Sequence, residues 1–299
     1  MPYVRPVARL AYLGTPEMAV APLRALAGAG HEIALCVTRP DRRRGRGSAV
    51  TPSPVKEAAV ALGIPVTTAM GEIPGAGVEV AVVVAYGRII PAALLDQVPM
   101  VNLHFSLLPR WRGAAPVERA LLAGDRQTGV CLMKVEEGLD TGPVYARRTV
   151  PIDDEISLPD LRDELVAVGS ELLVDALADG MAGLPVPVPQ QGEPTTADKI
   201  TQEDLHIHWS DPAEHLHRVV RLGRAWTTFR SKRLVVLEAR PTTDTSVPGP
   251  PGTLLGTAVA TGDGTLLLER VQPESRGPMS AEEWIRGIRP AVSERLGSD

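Results

Sequence analysis

Asn102 and His104 stand two residues apart at the end of the apolar run Met100 to His104. On a strand that spacing sends both side chains to one face. An amide donor beside an imidazole can stabilise a developing oxyanion and move a proton. Asp140 sits in the glycine-flanked stretch Gly138-Leu-Asp-Thr-Gly142. Two readings apply to it. Either its carboxylate orients and charge-stabilises the imidazole, or it is a turn residue accepting backbone N–H bonds, as Asp does beside Gly. From these residues alone both readings stay open, and the Asn102–His104 pair has a purely structural alternative as well.

The elements that must position these groups follow from the apolar pattern. Val7 to Leu13, Ile33 to Thr38, Ile64 to Thr67, Val78 to Ala85 and Met100 to His104 predict strands. Val78 to Ala85 is apolar almost throughout, the mark of a strand buried on both faces. Pro16 to Ala29 predicts a helix with proline at its start, where the missing N–H matters least. Ser53 to Leu62 predicts another, with Ser53 as cap, Pro54 next and Glu57 soon after. Strands at Thr128 to Val135 and Val144 to Val150 and a long amphipathic helix from Leu158 to Gly180 follow. This alternation predicts an α/β fold, a Rossmann-like open and mostly parallel sheet with helices on both sides. Such a sheet places ligands beyond the carboxyl ends of its strands. The stretches there are Gly14-Thr-Pro-Glu17, Arg39 to Ser48, Tyr86-Gly87 and Asn102 to Ser106. None contains Gly-x-Gly-x-x-Gly or a P-loop, which argues against a dinucleotide or nucleoside-triphosphate site.

The texture then changes. Leu184-Pro-Val-Pro-Val-Pro189 and Gln190-Gln-Gly-Glu-Pro-Thr-Thr196 are stiff, and predict an extended crossing strand or linker. A helix is expected at Asp211 to Leu222, capped by Asp211 with Pro212 next. Short strands at Thr227–Phe229, Leu234–Glu238, Gly252–Ala260 and Thr265–Gln272 predict a smaller C-terminal OB-like β-barrel domain. The expected boundaries are a catalytic domain over 1–188, a linker over 189–204 and the barrel over 205–299.

Composition limits the function classes. The chain has 299 residues, 44% hydrophobic and 22% charged, which is ordinary globular composition. Aromatics are 3%, so Val, Leu, Ala and Ile must fill the core. A net charge of -5 excludes a uniformly basic nucleic-acid binder but not a local basic patch. Cys36 and Cys131 lie in apolar runs, so a reducing cytoplasm is expected rather than a disulfide framework. No apolar stretch approaches the ~20 residues of a membrane span, and the N-terminus shows no signal-peptide pattern. His206 and His208, like His215 and His217, have i, i+2 spacings that suit neither a helical zinc pair nor a Cys/His ribbon, so no metal is expected.

Taken together, Asn102-Leu-His104, Ser106-Leu-Leu-Pro109, Arg112-Gly-Ala-Ala-Pro116 and Gly138-Leu-Asp-Thr-Gly142 resemble the signature of the folate-dependent formyltransferases. Leu13-Gly-Thr-Pro16 and the loop from Arg39-Pro-Asp-Arg to Gly45-Arg-Gly47, running into Pro52-Ser-Pro-Val-Lys56, resemble the branch that acts on methionyl-tRNA. The resemblance covers nearly the whole chain and is strongest from Val101 to Gly142. It implies transfer of a formyl group from 10-formyltetrahydrofolate to the α-amino group of initiator methionyl-tRNA, without a metal, by a monomer. It implies that Asn102 and His104 stabilise the tetrahedral oxyanion and that Asp140 positions His104 and a water. It places the folate near Tyr86 and Gly87 and near Ser106, Leu107, Leu108 and Pro109, where backbone groups would read the pterin. Two departures stand out: Met18 replaces a frequent aromatic, and the turn Leu222-Gly-Arg-Ala-Trp226 is shorter than the family's.

The acceptor can also be argued from charge. Arg39, Arg42, Arg43, Arg44 and Arg46 crowd one strand-end loop with only Asp41 opposing. A second cluster runs from Arg218 to Arg240 and includes Arg221, Arg224, Arg230, Lys232 and Arg233. Such runs are ordinarily solvated faces. On an acidic chain, with one at a ligand-binding strand end, they predict phosphate contacts to tRNA. Arg218 and Arg221 are one helical turn apart and are expected to share a face. Two same-chemistry alternatives remain, an amino-sugar nucleotide N-formyltransferase and a formyltetrahydrofolate hydrolase. A non-catalytic tRNA- or nucleotide-binding module is the alternative from another class.

Overall fold

The structure is a computed structural model describing residues 8–43, 50–243, 246–292 and 294–298. The chain forms two compact units. The first comprises residues 1–117, 127–151 and 162–198, and the second residues 118–126, 152–161 and 199–299. No helix among the described residues is long and apolar enough to cross a membrane.

The N-terminal part runs β1 (Arg9–Gly14), α1 (Val20–Gly28), β2 (Glu32–Val37), β3 (Arg42–Arg43), β4 (Val50–Thr51), α2 (Pro54–Ala61), β5 (Val66–Thr67) and β6 (Val80–Val84). It continues with α3 (Ala92–Leu95), β7 (Met100–His104), β8 (Arg112–Gly113), α4 (Pro116–Ala123), β9 (Gln127–Lys134), β10 (Val144–Pro151), α5 (Leu158–Ala176) and β11 (Thr196–Ala197). Seven strands form one sheet in the order β10-β9-β7-β6-β1-β2-β5. The five from β5 to β7 are parallel; β9 runs antiparallel to β7, and β10, antiparallel to β9, returns to the direction of the five. The central strands are the most apolar: all five residues of β6, Val-Ala-Val-Val-Val, are buried, as a parallel strand covered on both faces requires. Ser53 caps α2 by accepting the Lys56 N–H at 3.0 Å, with Pro54 at the first helical position. The helix expected from Pro16 opens as a 3-10 turn, Glu17–Ala19, before α1 begins. The short helices α3 and α4 lie where the pattern predicts none, since four and eight residues show little of a helical period.

Residues 184–198 belong to the first unit. Val188 exchanges backbone bonds with Val144 at 2.8 and 2.9 Å, and β11 pairs in parallel with β8. The extended conformation expected of this proline-rich stretch lets it act as a strap along the sheet domain.

The second unit contains α6 (Ala213–Arg221), β12 (Ala225–Phe229), β13 (Lys232–Thr242), β14 (Leu254–Leu255), β15 (Ala258–Ala260), β16 (Thr265–Pro273), β17 (Met279–Ser280) and α7 (Ala281–Ile288). Its strands form an antiparallel sheet in the order β12-β13-β16-β15-β14, with β17 added to β16. Trp209, Leu216, Phe229, Val236, Leu266 and Trp284 are among its buried core. Three details differ from the expectations. Gly256, at φ 60, folds Gly252–Ala260 into the hairpin β14–β15 rather than one strand. Pro212 rather than Asp211 is the N-cap of α6, and no side chain caps it. Helix α7 is closed by a reciprocal capping box between Ser280 and Glu283, a pattern present in the sequence as Ser-x-x-Glu.

Candidate active site

The polar cluster lies at the carboxyl end of β7. Asn102 pairs with Val83 of β6 on one side and Met133 of β9 on the other, and His104 pairs with Cys131. The strand is thus fixed from both edges, and its alternation sends Asn102 and His104 to the same face. Asp140 arrives from the β9–β10 connection in a left-handed conformation, φ 52. Asp tolerates that region better than most residues. Gly142 is required beside it, because a Cβ there would collide with the Lys134 carbonyl.

Asp140 faces both members of the pair. Its Oδ2 accepts the Gly113 N–H at 2.9 Å and lies 3.6 Å from His104 Nδ1, while Asn102 Nδ2 donates to its Oδ1 at 3.4 Å. The side chains of His104 and Asp140 are 6% and 11% exposed, so the carboxylate meets the imidazole largely shielded from water. His104 Nε2 lies 2.9 Å from the Trp111 carbonyl oxygen. A carbonyl only accepts, so Nε2 carries the proton and donates it, which turns Nδ1 toward Asp140. The two readings of Asp140 therefore coexist: it accepts a backbone N–H and it faces the imidazole.

A second layer of hydrogen bonds holds the loops in place. Gln190 donates through Nε2 to the carbonyls of Asp140 and Gly142, both at 2.8 Å. Its Oε1 accepts from Arg112 Nε at 3.1 Å and Nη2 at 2.7 Å. Thr195 Oγ1 accepts the Trp111 N–H at 2.9 Å. Gly113, at φ 126, runs so close to Ala197 that a Cβ would sit 2.9 Å from its carbonyl oxygen. The sequence reading does not place Gln190 or Thr195 in the site. The only signal for Gln190 is an amide at the end of a Pro-Val repeat, and its partners lie 48 to 78 residues away.

Of the residues expected at the folate, Ser106 is fully buried and donates to the Arg110 carbonyl at 2.6 Å, closing the 106–110 loop. Leu108 is buried against Cys131, Met133 and Val144, whereas Leu107 and Pro109 are half-buried. Tyr86 packs in the core beside Leu94 and Met100. Burial pushes its phenol up, tempered by the charges of Arg88 and Arg39. Gly87, at φ 74, turns the chain off β6, and a Cβ there would lie 3.6 Å from Arg39 Nη1. Thr15 Oγ1 donates to the Tyr86 carbonyl at 3.4 Å, joining the ends of β1 and β6 at the point where strand order reverses. A cavity of about 340 Å³ lies alongside, lined in part by Met70, Arg88, Leu94 and Gln97. It does not include the Asn102 cluster. Cys36, pushed up to about 12 by burial, and Cys131, raised for the same reason, are core thiols rather than nucleophiles.

The arginines divide. Arg39 is half-buried beside Gly87, and Arg42 is exposed. Arg42 and Arg43 pair with Thr51 and Val50, and Asp41 is tied to Lys56 at 2.7 Å at the base of this hairpin. Arg44 and Arg46 lie outside the described residues. In the second unit, Arg218 and Arg221 do not present their full donor sets to solvent. Arg218 Nε donates to the Leu122 carbonyl at 3.0 Å, and Arg221 donates to those of Ile156 and Asp153 at 2.8 and 2.5 Å. Burial lowers the Arg221 guanidinium, against the opposing charges of Glu155, Asp154 and Asp153. Arg224, Lys232 and Arg233 are exposed, the last packed 4.5 Å over the Trp226 ring.

Two family models match the chain: formyl transferase over residues 8–177, and the formyl transferase C-terminal domain over residues 199–289. A methionyl-tRNA formyltransferase of Jannaschia sp. is 42% identical over 298 residues, covering 95% of this chain and 98% of that protein. One from Roseobacter denitrificans is 43% identical, covering 93% and 95%. Among solved structures, an N-formyltransferase from Helicobacter canadensis in complex with folinic acid and dTDP-3-aminofucose aligns with a TM-score of 0.66 at 16% identity, covering 89% of this chain and 99% of that one. HypX from Aquifex aeolicus in complex with tetrahydrofolic acid aligns with a TM-score of 0.64 at 18% identity, covering 96% and 48%. At these identities the two structures support the fold.

Proposed function

The chain belongs to the formyl transferase family, and from that premise we propose that it transfers a formyl group from 10-formyltetrahydrofolate to the α-amino group of initiator methionyl-tRNA. The product is N-formylmethionyl-tRNA for translation initiation. The observation that carries this reading is the convergence of Asn102, His104 and Asp140 at one strand end, in a chain about 40% identical to methionyl-tRNA formyltransferases over nearly its full length. We place the reaction in the cytoplasm and take the protein as a monomer.

When bound, 10-formyltetrahydrofolate supplies an activated N-formyl carbonyl. The residues present fit it: Gly87 keeps the wall after β6 without a side chain, and the 106–110 loop offers backbone groups beside Leu107. Asn102 donates its amide N–H toward the oxygen that gains charge when the amine adds to the carbonyl. His104 shares its Nε2–H, which donates to the Trp111 carbonyl, with the same oxygen as charge develops there. Asp140 accepts the proton shed by the attacking amine, directly or through a water, and that proton returns to N10 of the leaving folate. A new amide C–N bond forms as the N10–C bond breaks.

We assign the tRNA phosphates to Arg39, Arg42, Arg43, Arg44 and Arg46, and to Arg224, Lys232 and Arg233. Arg218 and Arg221 contribute mainly by holding their own unit together. We retain 1–188 as the catalytic domain and 205–299 as the tRNA-binding domain, with 189–204 between them. The test offers 10-formyltetrahydrofolate with charged initiator tRNA, with an amino-sugar nucleotide, or with water alone. Formylmethionine forming only with the tRNA, and falling steeply with added salt as phosphate contacts require, supports the reading. Formylation of the sugar, or release of formate alone, overturns it.

A further inference from the structure

The segment leading to α6 holds a cluster that formyl transfer does not use. Leu205, Ile207 and Trp209 are buried at 4%, 1% and 5% exposure. The chain is extended there and tied to β12: Ile207 N–H donates to the Trp226 carbonyl at 2.8 Å, and Trp226 N–H to that of Leu205 at 2.9 Å. Alternation along extended backbone then turns His206 and His208 together to the opposite side. An i, i+2 spacing that serves no helical metal pair places two imidazoles on one face here.

A turn brings a carboxylate back to them. Thr201 and Asp204 bond reciprocally, Thr201 N–H to Asp204 Oδ2 at 2.8 Å and Asp204 N–H to Thr201 Oγ1 at 3.2 Å. Arg119 clamps Asp204 at 2.7 Å. Glu203, on that turn, accepts the His206 N–H through its carbonyl at 3.0 Å and sets its Oε1 2.9 Å from His208 Nε2. The His206 ring is held by stacking on Trp226, with centroids 4.3 Å apart. One donor atom from each of Glu203, His206 and His208 lies within 4.8 Å of the other two.

We propose that Glu203, His206 and His208 bind one borderline divalent cation of the Zn2+, Ni2+ or Cu2+ class. Two neutral imidazoles and one carboxylate are the donor set such ions favour. Mg2+ and Ca2+ prefer all-oxygen shells. The metal replaces the Glu203–His208 contact and leaves its remaining positions to water, because both side chains are exposed. It places positive charge beside Trp226, on which His206 stacks. Protons compete for the imidazoles, so affinity falls on acidification. The site lies in the second unit and is independent of the Asn102 cluster.

Calorimetric titration of the full-length protein with Zn2+ alone is the test, with Mg2+ as control. The expected result is one equivalent of Zn2+ bound and no Mg2+ binding. His206→Asn and His208→Asn should each weaken Zn2+ binding by about tenfold or more. His215→Asn, an exposed histidine outside the cluster, should leave it unchanged. Circular dichroism confirms that the variants are folded. Absence of stoichiometric Zn2+ binding, or unchanged binding in the His206→Asn/His208→Asn double variant, overturns the proposal.

Discussion

The Asn102 cluster and the basic stretch from Arg218 to Arg240 show opposite relations between sequence and space. Asn102 and Asp140 are 38 residues apart in the chain, yet their side chains meet. The basic residues are neighbours in the chain, and the fold spreads their side chains over different partners. Arg218 and Arg221 reach backbone carbonyls, Arg230 binds Glu294, and Arg240 binds Glu269. A guanidinium has five donors in a rigid fork, and once these are spent on internal acceptors the residue is structural cement with a positive charge. Density of charge along a sequence is therefore weaker evidence for a docking face than the meeting of distant groups.

The comparison is sharpest at the cluster itself. His104→Ala and Asn102→Ala should each lower kcat by about 10²–10⁴-fold, the range for a lost acid–base or oxyanion partner. Steady-state formylation by protein with an unchanged circular dichroism spectrum is the check. Gln190→Ala should lower kcat by about tenfold with little change in KM for the folate. The lost amide acts through the Asp140 loop rather than on a substrate. Gln190→Glu keeps an acceptor for Arg112 but loses both donors, and should fall as well. Wild-type kinetics in both variants would mean the Asp140 loop holds its shape without the strap.

The basic stretch should respond differently. Arg221→Met should lower stability by about 1–3 kcal/mol in urea unfolding, through its lost charged hydrogen bonds. Arg224→Ala should leave stability unchanged and raise KM for tRNA a few-fold. The reverse pattern would make Arg221 the phosphate ligand. The smallest effect concerns pH. Burial pushes Asp204 up, but Arg119 and the Thr201 donors outweigh it and hold the carboxyl at about 2, below an ordinary value of about 4. A depressed carboxylate stabilises above its unfolded value, and that contribution is lost as pH falls through the folded one. The stability gap between wild type and Asp204→Asn should be constant near neutrality and close between about pH 4 and about pH 2. A gap that does not change over that window would show the clamp to be electrostatically silent.

Much of this was legible in the sequence, for physical reasons. The β6 strand is announced by its Val-rich run and α2 by Ser53-Pro54, whereas the trio stands out only through the resemblance of its surrounding motifs, since the residue types alone leave a structural reading open. What escaped depends on long-range partners. Gln190 looks like one amide of a polar linker until its acceptors, Asp140 and Gly142, are in place. Arg218 and Arg221 look solvated until carbonyls of residues 122, 153 and 156 appear beneath them. The i, i+2 spacing of His206 and His208 argues against a helical metal pair, and only the extended backbone bonded to Trp226 turns both rings to one face. The hairpin break at Gly256 is a local φ choice that a glycine permits but does not dictate.

The central claim is that Asp140 manages the proton while Asn102 and His104 hold the developing charge, on an amine delivered by a tRNA. Single-turnover transfer from 10-formyltetrahydrofolate to initiator methionyl-tRNA, compared between wild type and Asp140→Asn with enzyme in excess, tests it most directly. The account predicts that Asp140→Asn still binds both substrates but forms formylmethionine slower by about a hundredfold or more. Transfer at the wild-type rate in that variant would contradict it.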